Sequence, residues 1–176
     1  MATRVAINGF GRIGRLVLRS ALKHDDIEVV AINDLTDAPT LAHLFKYDSV
    51  HGTFQAGVTV DGNSLKIAGH TIPVFSEPDP EKLPWAKHKV DVVIEATGRF
   101  AKNGGATKHL TAGAKKVVVS APAKGVDSTI VLGVNDGDVT ADHTMVSNAS
   151  CTTNCLAPMA KILHESFGIR RGMMTT

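Results

Sequence analysis

The chain has 176 residues, 43% apolar and 20% charged, and a formal net charge of +2, which suits a soluble globular protein of one domain or one domain and the start of a second. The small charge, with Lys115-Lys116 and Arg170-Arg171 only as pairs, argues against a nucleic-acid partner. No apolar run approaches the ~20 residues of a membrane span, and the start MATRVAINGF lacks the pattern of a secretory signal.

Thr3 to Asn8 (TRVAIN) is a short β-branched run ending at a glycine, the pattern of a buried strand. From Gly11 to Lys23, Ile13, Leu16, Val17, Ser20 and Ala21 recur at helical spacing and define the expected buried face, with Arg12, Arg15, Arg19 and Lys23 opposite. Ile27 to Asn33 (IEVVAIN) is a second strand, completing a βαβ unit. Leu41 to Lys46 suits a helix. VTVDGNSLKI reads as two strands around an Asp-Gly turn, and HTIPVF as a third, an antiparallel insert. EPDPEKLP, with its prolines, must be loop or turn.

Val90 to Thr97 returns to a buried strand. A helix over Gly105 to Ala112, a strand over Lys116 to Ser120, and short strands over Thr129 to Val134 and Thr144 to Ser147 follow. This alternation predicts an α/β fold, a Rossmann-type doubly wound and mostly parallel sheet with an antiparallel insert. Cys151 to Phe167 reads as a helix with Leu156, Met159, Ala160, Leu163 and Phe167 on one face. Pro158 leaves two readings open: a kinked helix from Cys151, or a helix from about Ala157 after a CTTN turn. Arg171 to Thr176 has the look of a strand.

Gly9-Phe10-Gly11-Arg12-Ile13-Gly14 is a G-x-G-x-x-G sequence between predicted strand and predicted helix, and Asp34 closes the second strand twenty residues past Gly14. That is the context a dinucleotide fingerprint requires. Gly9 permits the tight turn, Gly11 lets backbone approach a pyrophosphate, and Gly14 allows close helix–strand packing. The helix start offers free N–H groups to phosphate. Asp34 can accept hydrogen bonds from both ribose hydroxyls and would repel a 2′-phosphate, which favours NAD over NADP. The competing reading is a structural turn with a surface aspartate. Thr97-Gly98 and Ser120 also follow strands, where ligands bind open α/β sheets, although simple turn chemistry explains them equally well.

The two cysteines, Cys151 and Cys155, make neither a disulfide framework nor a zinc site; no metal is expected, and a reducing compartment is. If a helix starts here, Cys151 lies in its first turn, where the dipole favours thiolate. Ser150 and Thr152 flank it with hydroxyls, and nearby N–H groups can hold a phosphate or an oxyanion. The alternative is an inert packing cysteine. Cys155 reads as a small buried residue or as a resolving partner for oxidised Cys151.

INGFGRIGR, INDLTD, KYDSVHG, TGRF, KKVVVSAPAKGVD and SNASCTTNCLAP stand in the order and spacing of phosphorylating, NAD-dependent glyceraldehyde-3-phosphate dehydrogenases. From Arg4 to Thr176 the chain resembles the amino-terminal half of that family. The resemblance implies an NAD-binding domain over 1–149 and the start of a second, α+β catalytic domain over 150–176. It implies a cofactor site of Asn8, Gly9, Gly11, Arg12, Ile13, Gly14, Asp34, Thr97, Gly98 and Ser120, with Arg12 and Ile13 presenting backbone N–H groups to the pyrophosphate. It makes Cys151 the nucleophile, through a thiohemiacetal and a thioester that inorganic phosphate releases, with Ser150 and Thr152 binding phosphate or substrate. It further implies a cytoplasmic homotetramer.

Two departures stand out. Pro78 occupies a position where the family commonly has an arginine of the adenine pocket. The family's activating histidine lies in sequence beyond Thr176, and neither His143 nor His164 is expected to replace it, so the isolated chain is expected to be inactive. The expected function is oxidation and phosphorylation of glyceraldehyde 3-phosphate. The alternatives are an NAD-binding module without turnover and, within the family, oxidation of erythrose 4-phosphate. The family's final helix packs back onto the first domain and is not in this sequence, so the resemblance implies an exposed apolar face, and with it aggregation or partner binding.

Overall fold

The computed structural model describes residues 2–102 and 104–176. The strands are β1 (Thr3–Asn8), β2 (Ile27–Asn33), β3 (Val58–Asp61), β4 (Ser64–Ile67), β5 (His70–Phe75), β6 (Val92–Glu95), β7 (Lys116–Val119), β8 (Ser128–Thr129) and β9 (Met145–Ser147). The α-helices are α1 (Arg12–Ala21), α2 (Ala38–Lys46), α3 (Lys108–Thr111) and α4 (Cys151–Phe167). The strands form one sheet in the order β3-β4-β5-β2-β1-β6-β7-β9-β8.

From β5 to β8 every neighbouring pair is parallel, whereas β3–β4 and β4–β5 are antiparallel. The hairpin insert therefore joins the main sheet through β5, which pairs antiparallel with β4 and parallel with β2. Its turn is Gly62-Asn63, with Asp61 facing Ser64 across the pair and Gly62 at φ +56°, as a primed hairpin turn demands.

The apolar strands are buried on both faces, as in any sheet covered on both sides. Successive residues of β1 and β2 point to opposite faces. Ile7 and Ile32 enter a cluster with Leu18 of α1 and Leu41 and Phe45 of α2. Ala6 and Ala31 enter a second cluster with Trp85, Val93 and Ala112. Asp37 caps α2 by accepting from Thr40 N–H at 2.9 Å, and Pro39 sits in the first turn, where its missing N–H costs nothing.

Four expectations need correction. The buried stripe of α1 is Gly14, Leu18 and Ala21, while Ile13 is 48% exposed. Close contact at Gly14 rotates the helix so that the glycine, not Ile13, faces the sheet. The Gly105 to Ala112 helix forms in two pieces, a 3-10 turn over Gly105–Thr107 and then the four-residue α3. The strand expected over Thr129 to Val134 stops at Thr129. There the Asn135 side chain accepts from Val131 N–H at 2.9 Å and donates to the Thr129 carbonyl at 3.0 Å, closing a loop instead of extending a ladder. Arg171 to Thr176 forms no strand; a strand takes its hydrogen bonds from a neighbour, and none lies alongside among the described residues.

Candidate active site

The carboxyl ends of β1, β2, β6, β7 and β9 lie in register along one edge of the sheet. Gly9 N–H donates to Asn33, Ala96 to Asn8, Ser120 to Glu95 and Asn148 to Val119, at 2.8–3.0 Å. β1 pairs with β2 on one side and β6 on the other, so the chain changes direction across the sheet at β1. A crevice forms at such a switch point.

The glycine turn fills that crevice. Gly9 has φ +92°, and a Cβ there would stand 2.7 Å from Thr97 N. A Cβ on Gly14 would stand 2.1 Å from the Gly9 carbonyl oxygen, so α1 touches the turn that leaves β1 backbone to backbone. Nothing lies within 4 Å of the position a Gly11 Cβ would take, which leaves open space where a ligand's phosphates can approach. Gly11 is the N-cap of α1 and offers no side-chain cap. The helix has no acidic residue in its first turn, and the first-turn N–H groups of Arg12 and Ile13 have no intrahelical acceptor. These donors and the helix dipole suit a pyrophosphate.

Asp34 faces the same turn. One carboxylate oxygen accepts from Phe10 N–H at 2.7 Å and the other from Thr36 N–H at 2.9 Å. A carboxylate has about four acceptor sites, so about two remain for a ribose diol. Asn8, Gly9, Gly11, Asn33, Asp34, Leu35, Glu77, Pro78, Ala96, Thr97, Arg99 and Phe100 enclose a cavity of about 260 Å³.

A second cavity, of about 350 Å³, lies on the other side of the α1 start. Ile13, Val17, Ile94, Val118, Ser120, Asn148, Ala149, Ser150, Cys151 and Asn154 line it. The fold thus divides the expected residues into two groups. Asn8, Gly9, Gly11, Asp34 and Thr97 share the first cavity, and Ile13, Ser120, Ser150 and Cys151 share the second. Arg12, Gly14, Gly98 and Thr152 line neither. Arg12 is exposed at the helix start, Gly14 makes the helix–strand contact, Gly98 follows Thr97 in its loop, and Thr152 is half-buried on α4.

The open question about α4 is resolved in favour of a helix from Cys151 with Pro158 inside it. Ser150 supplies the reason. Its hydroxyl oxygen accepts from Thr153 N–H at 2.9 Å, an N-cap. Asn154 Nδ2 donates to the Asn148 and Ser150 carbonyls at 2.7 and 2.9 Å, pinning the turn ahead of the cysteine. Pro158 lacks the N–H that would bond the Asn154 carbonyl. Ala149, 3% exposed, holds φ +54°, a left-handed conformation that disfavours a Cβ directly before the cap and the thiol. Such strain gathers at functional sites.

Cys151 and Cys155 are both free and exposed. The expectation of a buried Cys155 is therefore corrected: α4 buries none of its residues. Its apolar side, including Met159, Ile162, Leu163 and Phe167, lies open to solvent. His164 is exposed too.

Sequence reasoning missed a polar network beneath the first cavity. Glu95 and His109 are buried. His109 Nε2 lies 2.9 Å from Glu95 Oε2, and Trp85 Nε1–H donates to His109 Nδ1 at 2.9 Å. Asn8 Nδ2 also donates to Glu95 Oε2, and Thr97 donates its N–H and its hydroxyl to Oε1. Burial pushes the Glu95 carboxyl up, but the hydrogen bonds from His109, Thr97 and Asn8 outweigh it and hold the group below the ordinary glutamate range. The signal was a glutamate at the end of an apolar strand, VVIE, where charge is rarely tolerated unless paired.

The strand order, glycine turn and acidic strand end define a class, the Rossmann-type dinucleotide-binding domain. A family model described as glyceraldehyde 3-phosphate dehydrogenase, NAD binding domain, matches residues 3–103, and the corresponding C-terminal domain model matches residues 150–176. Relatives named glyceraldehyde-3-phosphate dehydrogenase include those of Geobacillus stearothermophilus, 65% identical across all of this chain and 53% of the relative, and Thermotoga maritima, 60% identical across 98% of this chain and 53% of the relative. The chain belongs to the glyceraldehyde 3-phosphate dehydrogenase family. It spans about half the length of the curated relatives it matches, 53% for Geobacillus stearothermophilus.

Proposed function

We propose that this chain carries the NAD site and the cysteine nucleophile of an NAD-dependent, phosphorylating glyceraldehyde 3-phosphate dehydrogenase. One observation supports this most strongly: the start of α1 separates a cavity containing Asp34 from one containing Cys151, with Gly11 lining the first and Ile13 the second. A dinucleotide laid across the glycine turn has its adenosine ribose at Asp34, its pyrophosphate over the N–H groups of Arg12 and Ile13, and its nicotinamide beside Ser120 and Cys151. Asn8, Gly9, Thr97 and Gly98 shape the walls, and Gly14 lets the helix come close. NAD, when bound, supplies the hydride acceptor.

Cys151 Sγ, as the thiolate, attacks the aldehyde carbon and forms the thiohemiacetal as its oxyanion; collapse of that oxyanion to a carbonyl expels hydride, which a bound NAD would accept, and leaves a thioester on Sγ. An oxygen of inorganic phosphate then attacks the thioester carbon and releases the acyl phosphate, returning the thiolate. Backbone N–H groups at the start of α4, with the Ser150 and Thr152 hydroxyls, hold the developing oxyanion and the phosphate. We assign residues 1–149 to the NAD-binding domain and 150–176 to the catalytic domain. For the whole protein we propose a cytoplasmic homotetramer, on the strength of the family resemblance.

A second reading, an NAD-binding module without turnover, is favoured by the cavity around Cys151, whose lining among the described residues holds no histidine, carboxylate or lysine. The test is calorimetric titration with NAD, followed by an NADH-forming assay with glyceraldehyde 3-phosphate and phosphate beside a Cys151→Ser control. The account expects NAD to bind and NADP to bind more weakly. Turnover that depends on Cys151 supports the enzyme reading for this polypeptide, and binding without turnover supports the module. Failure to bind NAD refutes both.

A further inference from the structure

A buried carboxylate with no charged partner among the described residues lies beneath the adenosine side of the cavity. Glu95 is 1% exposed and His109 is 0% exposed. Indole N–H is a donor only, so the bond from Trp85 makes His109 Nδ1 an acceptor. His109 is then the neutral tautomer with its proton on Nε2, and it donates that proton to Glu95. The pair carries a net negative charge, held by converging donors: Asn8 and His109 on one oxygen, and the N–H and hydroxyl of Thr97 on the other.

Two of these donors, Thr97 and Asn8, lie in the cavity wall. Thr97 is wedged against the glycine turn, since a Cβ on Gly9 would stand 2.7 Å from Thr97 N, and its hydroxyl also accepts from Arg99 N–H at 3.1 Å. The Asn8 side-chain oxygen accepts from Asn33 Nδ2 at 2.7 Å. Asn33 in turn exchanges bonds with the Glu77 backbone, donating to the carbonyl at 3.0 Å and accepting from the N–H at 2.9 Å. One buried charge therefore orders the ends of β1, β2 and β6 and the two loops that follow β5 and β6. A buried charge satisfied by four donors fixes its neighbours more tightly than a neutral group does.

We propose that Glu95 is a positioning residue for the adenosine half of the NAD site, acting through Thr97, Asn8 and Asn33 without touching the cofactor. This rests on the reading of NAD as the ligand. The second cavity, with Cys151, shares none of these three residues, so the effect is confined to one half of the dinucleotide.

The experiment compares the wild-type chain with Glu95→Gln. An amide accepts on one side only, so its N–H group faces two donors that the carboxylate had satisfied. NAD, AMP and nicotinamide mononucleotide are titrated separately by calorimetry, and Thr97 amide exchange is followed by NMR. Glu95→Gln is expected to weaken NAD and AMP roughly tenfold, to leave nicotinamide mononucleotide within about twofold, and to speed Thr97 exchange. AMP affinity unchanged in the variant, with exchange accelerated, overturns the proposal. Equal losses for AMP and nicotinamide mononucleotide overturn it as well, since they report general loosening. A wild-type chain that binds neither NAD nor AMP refutes the NAD reading itself, and the proposal falls with it.

Should Glu95→Gln fail to fold, the pair His109→Gln and His109→Leu carries the test, because His109 does not line the cavity. AMP affinity should fall in His109→Leu and recover in His109→Gln, which keeps a donor for Glu95. Equal AMP affinity in the two variants overturns the proposal.

Discussion

Gly14→Ala and Gly11→Ala, three residues apart in one motif, should fail in different ways. At Gly14 the new methyl would stand 2.1 Å from the Gly9 carbonyl oxygen and 3.0 Å from Ile7 Cγ2. Restoring ordinary contact near 3.4 Å requires α1 to withdraw by about 1.3 Å from the turn that leaves β1. Overpacking of this kind costs about 3 kcal/mol at its upper end, and the better helix propensity of alanine returns about 1 kcal/mol. The net loss of about 2 kcal/mol corresponds to a fall in Tm of about 4–8 °C for a chain of this size. At Gly11 nothing lies within 4 Å and φ is −70°, so alanine should cost less than about 1 kcal/mol as an N-cap change. Its methyl, however, enters the space assigned to the pyrophosphate, and NAD affinity should fall roughly tenfold or more. Thermal unfolding followed by Trp85 fluorescence, beside NAD calorimetry, separates the two. A Gly14→Ala chain at least as stable as wild type would refute the backbone-contact argument. A Gly11→Ala chain that binds NAD normally would refute the pyrophosphate placement.

Asp34→Ala should weaken NAD roughly tenfold and relax discrimination against NADP, measured by parallel titrations; unchanged affinities for both would remove the ribose assignment. With both cysteines exposed, a thiol titration of the native chain should count two reactive thiols, and a count of one would contradict the exposure of Cys155. The Glu95 carboxyl titrates below its ordinary range in the folded chain, so the unfolded chain binds more protons between that depressed value and the usual ~4.3. Stability from Glu95 is complete above the unfolded value and is lost as pH falls through the folded one. Urea midpoints measured across that acid window should therefore fall less steeply for Glu95→Gln than for wild type, and parallel slopes would contradict the depressed carboxyl.

Much of the fold was legible because its signals are local. β1, β2 and the hairpin β3–β4 follow from β-branched runs bounded by glycine, and α4 from its spacing between Cys151 and Phe167. What failed depends on partners that local pattern does not reveal. The face of α1 was misjudged because a backbone contact at Gly14, not the largest apolar side chains, decides what faces the sheet. β8 stops early because Asn135 captures the backbone groups of Thr129 and Val131. Cys155 looked buried because its small apolar character was read without knowing what α4 packs against. The glycine turn, Asp34, Ser120 and Cys151 were proposed from motifs and family resemblance, and the fold places Gly9, Gly11 and Asp34 on one cavity and Ser120 and Cys151 on another. Glu95, His109 and Asn33 escaped notice because their meaning lies in contacts between strand ends and a helix far apart in sequence.

The most direct test of the central claim is cofactor protection of the cysteines. The chain is alkylated with iodoacetamide with and without saturating NAD, and labelling at each cysteine is followed by mass spectrometry. Cys151 lines the cavity assigned to the nicotinamide and Cys155 does not. NAD should therefore slow alkylation of Cys151 and leave Cys155 unchanged. Bound NAD that leaves Cys151 as reactive as before would contradict the placement of the thiol at the nicotinamide end.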